Sequence, residues 1–259
     1  MSYSIEKFKT IPKELRELKQ PVSELFYIGE SSLLQKPLVS IVGTRKPRSY
    51  TRELTAKLSS KLSNVGVVVV SGGAIGVDTI AHKNSYPNTI AVMANSLDIY
   101  YPAINRKLFD DIYKNSLAIS EYQENFKARV YTFVHRNRIV TALGECLIVT
   151  EADKNSGSLR SVEFALEYGK KIYVLPHRSG ESIGTQKLIE SGQAEVIYDI
   201  DNFVSRFGNI SKNSDEIITF CSNNSSLNDA ISKYGNKIYE YELEGKITIK
   251  GLKVFVPWQ

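Results

Sequence analysis

The chain has 259 residues, with 33 Lys and Arg against 28 Asp and Glu, a net charge of +5 and 42% hydrophobic residues. That length holds one large domain or one large and one small, and ordinary apolar content beside 24% charged residues excludes an intrinsically disordered chain. The start MSYSIEKFKT lacks a signal-peptide pattern and no apolar run approaches the roughly 18 residues of a membrane span, while Cys146 and Cys221 make no disulfide framework or CxxC pattern, so a cytoplasmic protein with two reduced thiols is expected.

Residues 1–35 contain IPKELRELKQPVSELFYIGE, with two prolines and a short helical patch, and read as a lead-in segment. The apolar, β-branched run Pro37–Gly43 predicts a buried parallel strand. A helix follows over Tyr50–Leu62, where Leu54, Leu58 and Leu62 recur four apart and Asn64-Val65-Gly66 stops the run. Further strands are expected at Val67–Gly73, Thr89–Ala94, Leu117–Ser120, Cys146–Ala152 and Lys171–Pro176. Helices are expected between and after them at Ala74–Asn84, Ile104–Asn115, Arg136–Leu143, Ser158–Tyr168 and Gln186–Glu190. Strands alternating with helices imply an α/β fold, a doubly wound, mainly parallel Rossmann-like sheet over residues 36–210. The polar stretch Asn209–Ser214 reads as a linker. Beyond it, residues 215–259 offer a capped helix at Ser226–Tyr234, a helical or extended Ile238–Leu243 and an alternating GKITIKGLKVFV hairpin about Gly251, which suggests a small winged-helix-like domain.

The charge is unevenly spread. Residues 215–259 hold five Lys and no Arg against six acidic residues, a net of −1, which leaves +6 on the large domain. In an open α/β sheet ligands bind beyond the carboxyl ends of the strands. Four strand exits stand out there: Gly43-Thr44-Arg45-Lys46-Pro47-Arg48-Ser49, Ser71-Gly72-Gly73-Ala74-Ile75-Gly76-Val77-Asp78, Glu151-Ala152-Asp153-Lys154-Asn155-Ser156-Gly157-Ser158-Leu159-Arg160, and Pro176-His177-Arg178-Ser179-Gly180. Glycines that admit a close approach, hydroxyl and amide donors and guanidinium forks suit phosphate oxygens. One such loop would serve one phosphate. Several on one sheet edge point to an extended polyanion, hence nucleic acid, with its backbone laid across the strand ends. Phe133, ahead of Arg136 and Arg138, is either a core residue or a stacking platform that would favour single strands.

Catalytic alternatives have little support. There is no GxSxG, HExxH, Walker A or GxGxxG pattern, and the three histidines His82, His135 and His177 do not cluster. Asp78 and Glu121 are open to several readings, as an acid and base pair, as metal ligands, or as carboxylates that anchor a loop through its amides, the last being preferred. Neither a metal nor a cofactor is expected.

Taken in order, these segments resemble the DNA processing protein A family (DprA, also called Smf). The resemblance runs from about Ile11 to Asp201 and is carried by Val42-Gly43-Thr44-Arg45, Ser49-Tyr50, Val69-Val70-Ser71-Gly72, Gly76-Val77-Asp78, Ala81-His82, Thr89-Ile90-Ala91-Val92, Tyr101-Pro102 and Ser120-Glu121-Tyr122. The most specific pieces are Arg136-Asn137-Arg138-Ile139 and Glu151-Ala152 with Ser156-Gly157-Ser158-Leu159. The resemblance implies a homodimeric protein that binds single-stranded DNA and helps load a RecA-type recombinase during natural transformation. It also implies a binding site built from Gly43, Thr44, Arg45, Ser71, Gly72, Phe133, Arg136, Asn137, Arg138, Lys154, Ser156, Gly157 and Ser158. The rival reading is a phosphoribohydrolase-like nucleotide-processing enzyme on a related Rossmann-like fold, whose Pro-Gly-Gly-x-Gly-Thr-x-x-Glu motif is missing from this sequence.

Three positions depart from the family pattern. Ile75 stands where the family has an arginine, which leaves a contact either missing or supplied by Arg48. Thr51 replaces a glycine, and His177 follows Pro176 where a glycine is usual.

Overall fold

The computed structural model describes residues 3–208, 216–223 and 226–256. The chain divides into two compact units, Met1–Gly208 and Asn209–Gln259. The expected linker, Asn209–Ser214, lies outside the described residues.

In chain order the first unit contains β1 (Glu6–Lys7), α1 (Lys13–Arg16), β2 (Phe26–Gly29), a 3-10 turn at Ser31–Gln35, β3 (Leu38–Val42), α2 (Ser49–Asn64), β4 (Val68–Ser71), α3 (Val77–Ser85) and β5 (Thr89–Val92). After these come α4 (Arg106–Asn115), β6 (Leu117–Ser120), α5 (Val130–Leu143), β7 (Cys146–Val149), α6 (Ser158–Glu167), β8 (Lys171–Val174), α7 (Ile183–Glu190), β9 (Glu195–Val196) and α8 (Ile200–Val204). They form one nine-stranded sheet in the order β1-β2-β6-β5-β4-β3-β7-β8-β9. From β6 to β9 every pairing is parallel, for example Leu38 beside Val68 and Ser40 beside Leu147.

The doubly wound, mainly parallel sheet expected from the sequence is therefore present. Its strands alternate between two cores. On β3, Leu38 and Val42 face the core that also holds Ile139, Val140 and Leu143 of α5, whereas Val39 and Ile41 face the core with Leu58 and Leu62 of α2. A strand buried on both faces cannot show polar alternation, which is why β3 and β4 read as continuous apolar runs.

Two boundaries differ from expectation. The lead-in segment is built into the sheet: β2 pairs antiparallel with β6, Tyr27 opposite Ile119, and β1 pairs antiparallel with β2. Both strands are short, β1 is exposed and β2 only partly buried, so neither produces a periodic signal. Helix α5 starts at Val130, about 1.7 turns before the expected Arg136. Its first residues, Val-Tyr-Thr-Phe-Val, are β-branched or aromatic and weak helix formers, but Thr132 accepts the Arg129 amide at 3.0 Å and holds the opening turn.

The chain leaves β3 for β4, β5 and β6 on one side and later returns to place β7, β8 and β9 on the other. The order reverses between β3 and β7, and the carboxyl ends of those two strands open the crevice in which doubly wound folds bind ligands.

The second unit contains α9 (Glu216–Asn223), α10 (Leu227–Tyr234), α11 (Lys237–Leu243) and an antiparallel hairpin of β10 (Thr248–Lys250) and β11 (Lys253–Phe255). Ser226 caps α10 by accepting the Asp229 amide at 3.3 Å, as its Ser-Leu-Asn-Asp start predicts. Ile217, Cys221, Leu227, Ala230, Ile238, Ile247 and Val254 form its own small core.

Candidate nucleic-acid interface

The crevice at the β3 and β7 ends contains a cleft of about 430 Å³. Gly43, Thr44 and Arg45 reach it from the β3 exit, Phe133, Arg136 and Asn137 from α5, and Ser156, Gly157 and Ser158 from the loop that opens α6. Val42, Ala74, Asp78, Val134 and Ser161 complete its lining. Residues from four separate stretches of sequence are thus gathered at one sheet edge.

The β3 exit is held in place by backbone bonds. Thr44 donates its amide to Glu151 O at 2.9 Å, and Thr44 O accepts the Val77 amide at 3.1 Å. Gly76 has φ +84°, and a Cβ there would stand 2.5 Å from both Thr44 O and Arg45 O, so a side chain would separate the first and second glycine loops. Glu151, 3% exposed at the end of β7, accepts the Arg48 amide at 3.1 Å, the Arg48 guanidinium at 2.6 Å and the Thr51 hydroxyl at 2.5 Å. A carboxylate at the start of α2 satisfies the free amides there and lies at the favourable end of the helix dipole.

Arg136 is buried beneath the cleft. Its Nη1 donates to Gly72 O and, at 2.7 Å, to Val92 O, and its Nε donates to Asn137 Oδ1 at 3.1 Å. Burial pushes its pKa down, and the nearby Asp78 carboxylate works against that shift. Asp78 is displaced in the complementary sense. Burial raises its pKa, while Arg136 and the amides of the glycine loop pull it back down. Asp78 accepts the Ala74 amide at 3.3 Å, which is the loop-anchoring arrangement preferred from the sequence. Glu121 does not join it; that carboxylate pairs with Arg138 at 2.7 Å.

Arg45 is the exposed cation of the cleft. Its guanidinium lies 5.5 Å from the Phe133 ring centre, and the Tyr101 ring centre lies 5.7 Å from that of Phe133. Phe133 is half-buried, so it acts both as packing and as a surface. In the loop that opens α6, Ser156 Oγ lies 2.7 Å from Ser158 Oγ, and Asn137 Nδ2 donates to Gly157 O at 3.4 Å. These hydroxyls sit at the amino end of α6, where the helix dipole favours an anion.

Two further depressions continue the cleft. One, of about 80 Å³, shares Arg45, Ala74, Phe133 and Arg136 with it and adds Gly72, Ile75, Asn95 and Tyr101. The other, of about 460 Å³, shares Thr44 and Ser156 and adds Asp153, Lys154, Asn155 and Ile183. Gly72 and Lys154 therefore border the cleft without lining it.

Ser71 and Arg138 are not brought to the cleft. Ser71 is fully buried and donates its hydroxyl to Ile41 O at 2.7 Å, which ties β4 to β3. Arg138, 4% exposed, is taken up by Glu121. It is only two residues from Arg136, and on a helix such residues point to different sides. Arg48 does not stand in for an arginine at Ile75, since Glu151 engages it and it lines a different cavity. Tyr101 was missed as a site residue; its signal was an aromatic in the connection after β5. Among the described residues no group of three His, Cys, Asp or Glu side chains is placed to hold a metal ion, and no helix is long and apolar enough to cross a membrane.

Comparison with known proteins places these features in a family. The sequence model of the DNA recombination-mediator protein A family matches residues 3–208. Protein Smf of Synechocystis is 36% identical over 208 residues, covering 77% of this chain and 52% of that protein. DNA processing protein DprA of Streptococcus pneumoniae is 37% identical over 186 residues, covering 70% of this chain and 66% of that protein. The chain thus spans about half to two thirds of the length of these relatives. Among solved structures, DNA processing protein A from Helicobacter pylori, described for its single-stranded DNA binding mode, superposes with a TM-score of 0.77 at 41% identity, covering 79% of this chain and 95% of that one. The Streptococcus pneumoniae DprA structure gives 0.73 at 33% identity, covering 79% of this chain and 74% of that one. With its glycine loops, buried Arg136 and exposed Arg45 at the crevice of such a sheet, the chain belongs to the DNA recombination-mediator protein A family.

Proposed function

We propose that this chain binds single-stranded DNA along the β3, β4 and β7 ends and acts as a non-catalytic recombination mediator in the cytoplasm. The observation that carries this reading is the continuity of the cleft with its two flanking depressions, which share Arg45 and Phe133 on one side and Thr44 and Ser156 on the other. A mononucleotide needs one cradle; a row of connected cradles suits a polymer. Phosphates would meet Arg45, Lys154 and the hydroxyl and amide groups of Thr44, Ser156, Gly157 and Ser158. An unpaired base would stack on Phe133, which duplex DNA cannot offer. The single-stranded DNA binding described for the Helicobacter pylori relative supports the same reading.

In this proposal Gly72, Arg136 and Asn137 shape the cleft, and Ser71 and Arg138 support the fold. Homodimerisation and transfer of the bound strand to a RecA-type recombinase during natural transformation are part of the same proposal. The C-terminal unit, three helices followed by a hairpin, is assigned as winged-helix-like. Its net charge of −1 favours a protein contact over a DNA backbone.

Fluorescence anisotropy with labelled single-stranded and duplex oligonucleotides tests the reading. Tighter single-strand binding that weakens as salt rises is expected. Equal affinity for duplex would remove the stacking element, and release of free base from nucleoside monophosphates would install the phosphoribohydrolase-like alternative instead.

A further inference from the structure

A fourth cavity, of about 400 Å³, lies at the exit of β8 and is lined by Arg48, Tyr50, Pro176, His177, Arg178 and Glu181. Strand β8 is the parallel neighbour of β7, so its exit opens on the same sheet edge as the cleft, one strand further along. Adjacent strands are about 4.8 Å apart. Arg48 is only three residues beyond Arg45, a span of at most about 11 Å. The cavity shares no lining residue with the cleft or the Lys154 depression, but strand order places it next to them on that edge.

Its chemistry differs from that of the cleft. The Arg48 charge is engaged by Glu151, and the carboxylate of Glu181 shares the wall with the exposed Arg178, so the charges nearly cancel. What remains is an aromatic surface. Tyr50 is 45% exposed, at the start of α2, and its ring is braced edge-on by His177 at 5.9 Å and 75°. His177 is itself fixed by the 2.7 Å contact of Nε2 with Thr150 O at the end of β7. The loop that carries Arg178 is pinned by Gln186 Nε2 on α7, which donates to Arg178 O at 2.6 Å. A large exposed ring braced by a neighbouring imidazole, in a cavity that also carries Arg48 and Arg178, matches the stacking platforms that bind unpaired bases without reading their sequence.

We propose that the Tyr50 and His177 pair is a second base-stacking station for the same single strand, with Arg178 meeting the adjoining phosphate. This rests on the reading of the cleft as a single-strand binding site. A strand long enough to leave the cleft past Lys154 would place a base on Tyr50, and a shorter one would not.

The test is a length series of single-stranded oligonucleotides titrated against the full chain, its Tyr50→Ala and Tyr50→Phe variants and Arg178→Ala, with thermal unfolding of each as a control. Wild-type affinity should rise in a step once the strand outgrows the cleft. Tyr50→Ala should lose that step, about 5- to 150-fold at one stacked base, while binding of the shortest strands stays unchanged and Tyr50→Phe keeps it. Arg178→Ala should lose a smaller part of the same step. The proposal is overturned by a wild type that binds with no length step, by a Tyr50→Ala variant that retains the step, or by equal losses on short and long strands. Failure of the wild type to bind any single strand would instead strike the reading of the cleft, and this inference with it.

Discussion

Gly72 and Arg136 are fitted to one another: a Cβ built at Gly72 would stand 2.6 Å from Nη2 of Arg136 and closer still to Nη1 and Cζ. The Gly72 carbonyl accepts from the same guanidinium. The second glycine loop is thus bare at Gly72 to admit an arginine from α5, a role that the sequence alone did not separate from phosphate approach. Gly72→Ala should displace a buried charge from its partners. A loss of about 2 to 4 kcal/mol in denaturant unfolding is expected. A loss below about 0.5 kcal/mol would mean the guanidinium has another place to go.

Arg45 should behave in the opposite way. It is exposed and its contact with Phe133 is a surface one, worth about 0.5 to 1 kcal/mol. Arg45→Ala should leave the unfolding midpoint nearly unchanged and weaken single-strand binding of any sequence by about 1 to 3 kcal/mol. The slope of log affinity against log salt should fall by about 0.7 for the one phosphate contact removed. Anisotropy titrations at several salt concentrations check both quantities.

Arg138 and Arg136 sit two residues apart in the same family motif yet answer to different partners. The Arg138 ion pair with Glu121 is nearly buried on both sides, at 5% and 13% side-chain exposure. Removing one member leaves the other charge uncompensated. Arg138→Ala should therefore cost about 3 to 5 kcal/mol of stability. Changing both residues to apolar ones of similar size should restore much of it, and a double-mutant cycle by chemical denaturation measures the coupling.

The acid side of the stability profile should carry a signature of His82. This residue is fully buried, receives the Gly73 amide on Nε2 at 3.2 Å and meets Thr89 Oγ1 through Nδ1 at 2.7 Å. Burial, aided by the positive Arg136, lowers its pKa from 6.5 to about 3. Between these two values the unfolded chain binds a proton that the folded chain refuses, so stability is unaffected above about pH 6.5 and falls as pH drops toward 3. Asp78, whose pKa is raised by burial, acts in the opposite sense, because its folded form holds a proton more readily. Unfolding midpoints of wild type and His82→Gln at pH 7.5 and pH 5 separate the two, since the glutamine keeps an acceptor for Gly73 without titrating. The wild type should lose more than the variant on acidification, and equal losses would rule His82 out.

Legibility in the sequence followed burial and length. Strands β3 to β8 are mostly apolar runs because both faces are covered, so each could be placed within two residues except β7, whose expected end, Ala152, lies three residues past the observed Val149. The two-residue strands β1 and β9 and the half-exposed β2 carry too few side chains for any pattern. At the cleft, residues of strand exits were legible because topology forces parallel exits onto one edge. Orientation within α5 was not legible, since Arg136 and Arg138 are the same residue type and only Glu121, Gly72 and Val92 decide which side each serves. Ile75 shows the same limit. Where the family carries an arginine, its side chain joins the small depression that Tyr101 and Phe133 share with Arg45 and Arg136, a placement that the residue type alone does not announce.

The pairing of β2 with β6 gives the first thirty residues a protective task. Without them β6 would become a bare sheet edge, Leu117 to Ser120, with its row of amides and carbonyls open to another molecule. A shortened chain that begins at the 3-10 turn would keep every residue of the cleft and still be prone to self-association through that edge. Sedimentation of the shortened chain, compared with the intact one, would register this as higher-order species that grow with concentration.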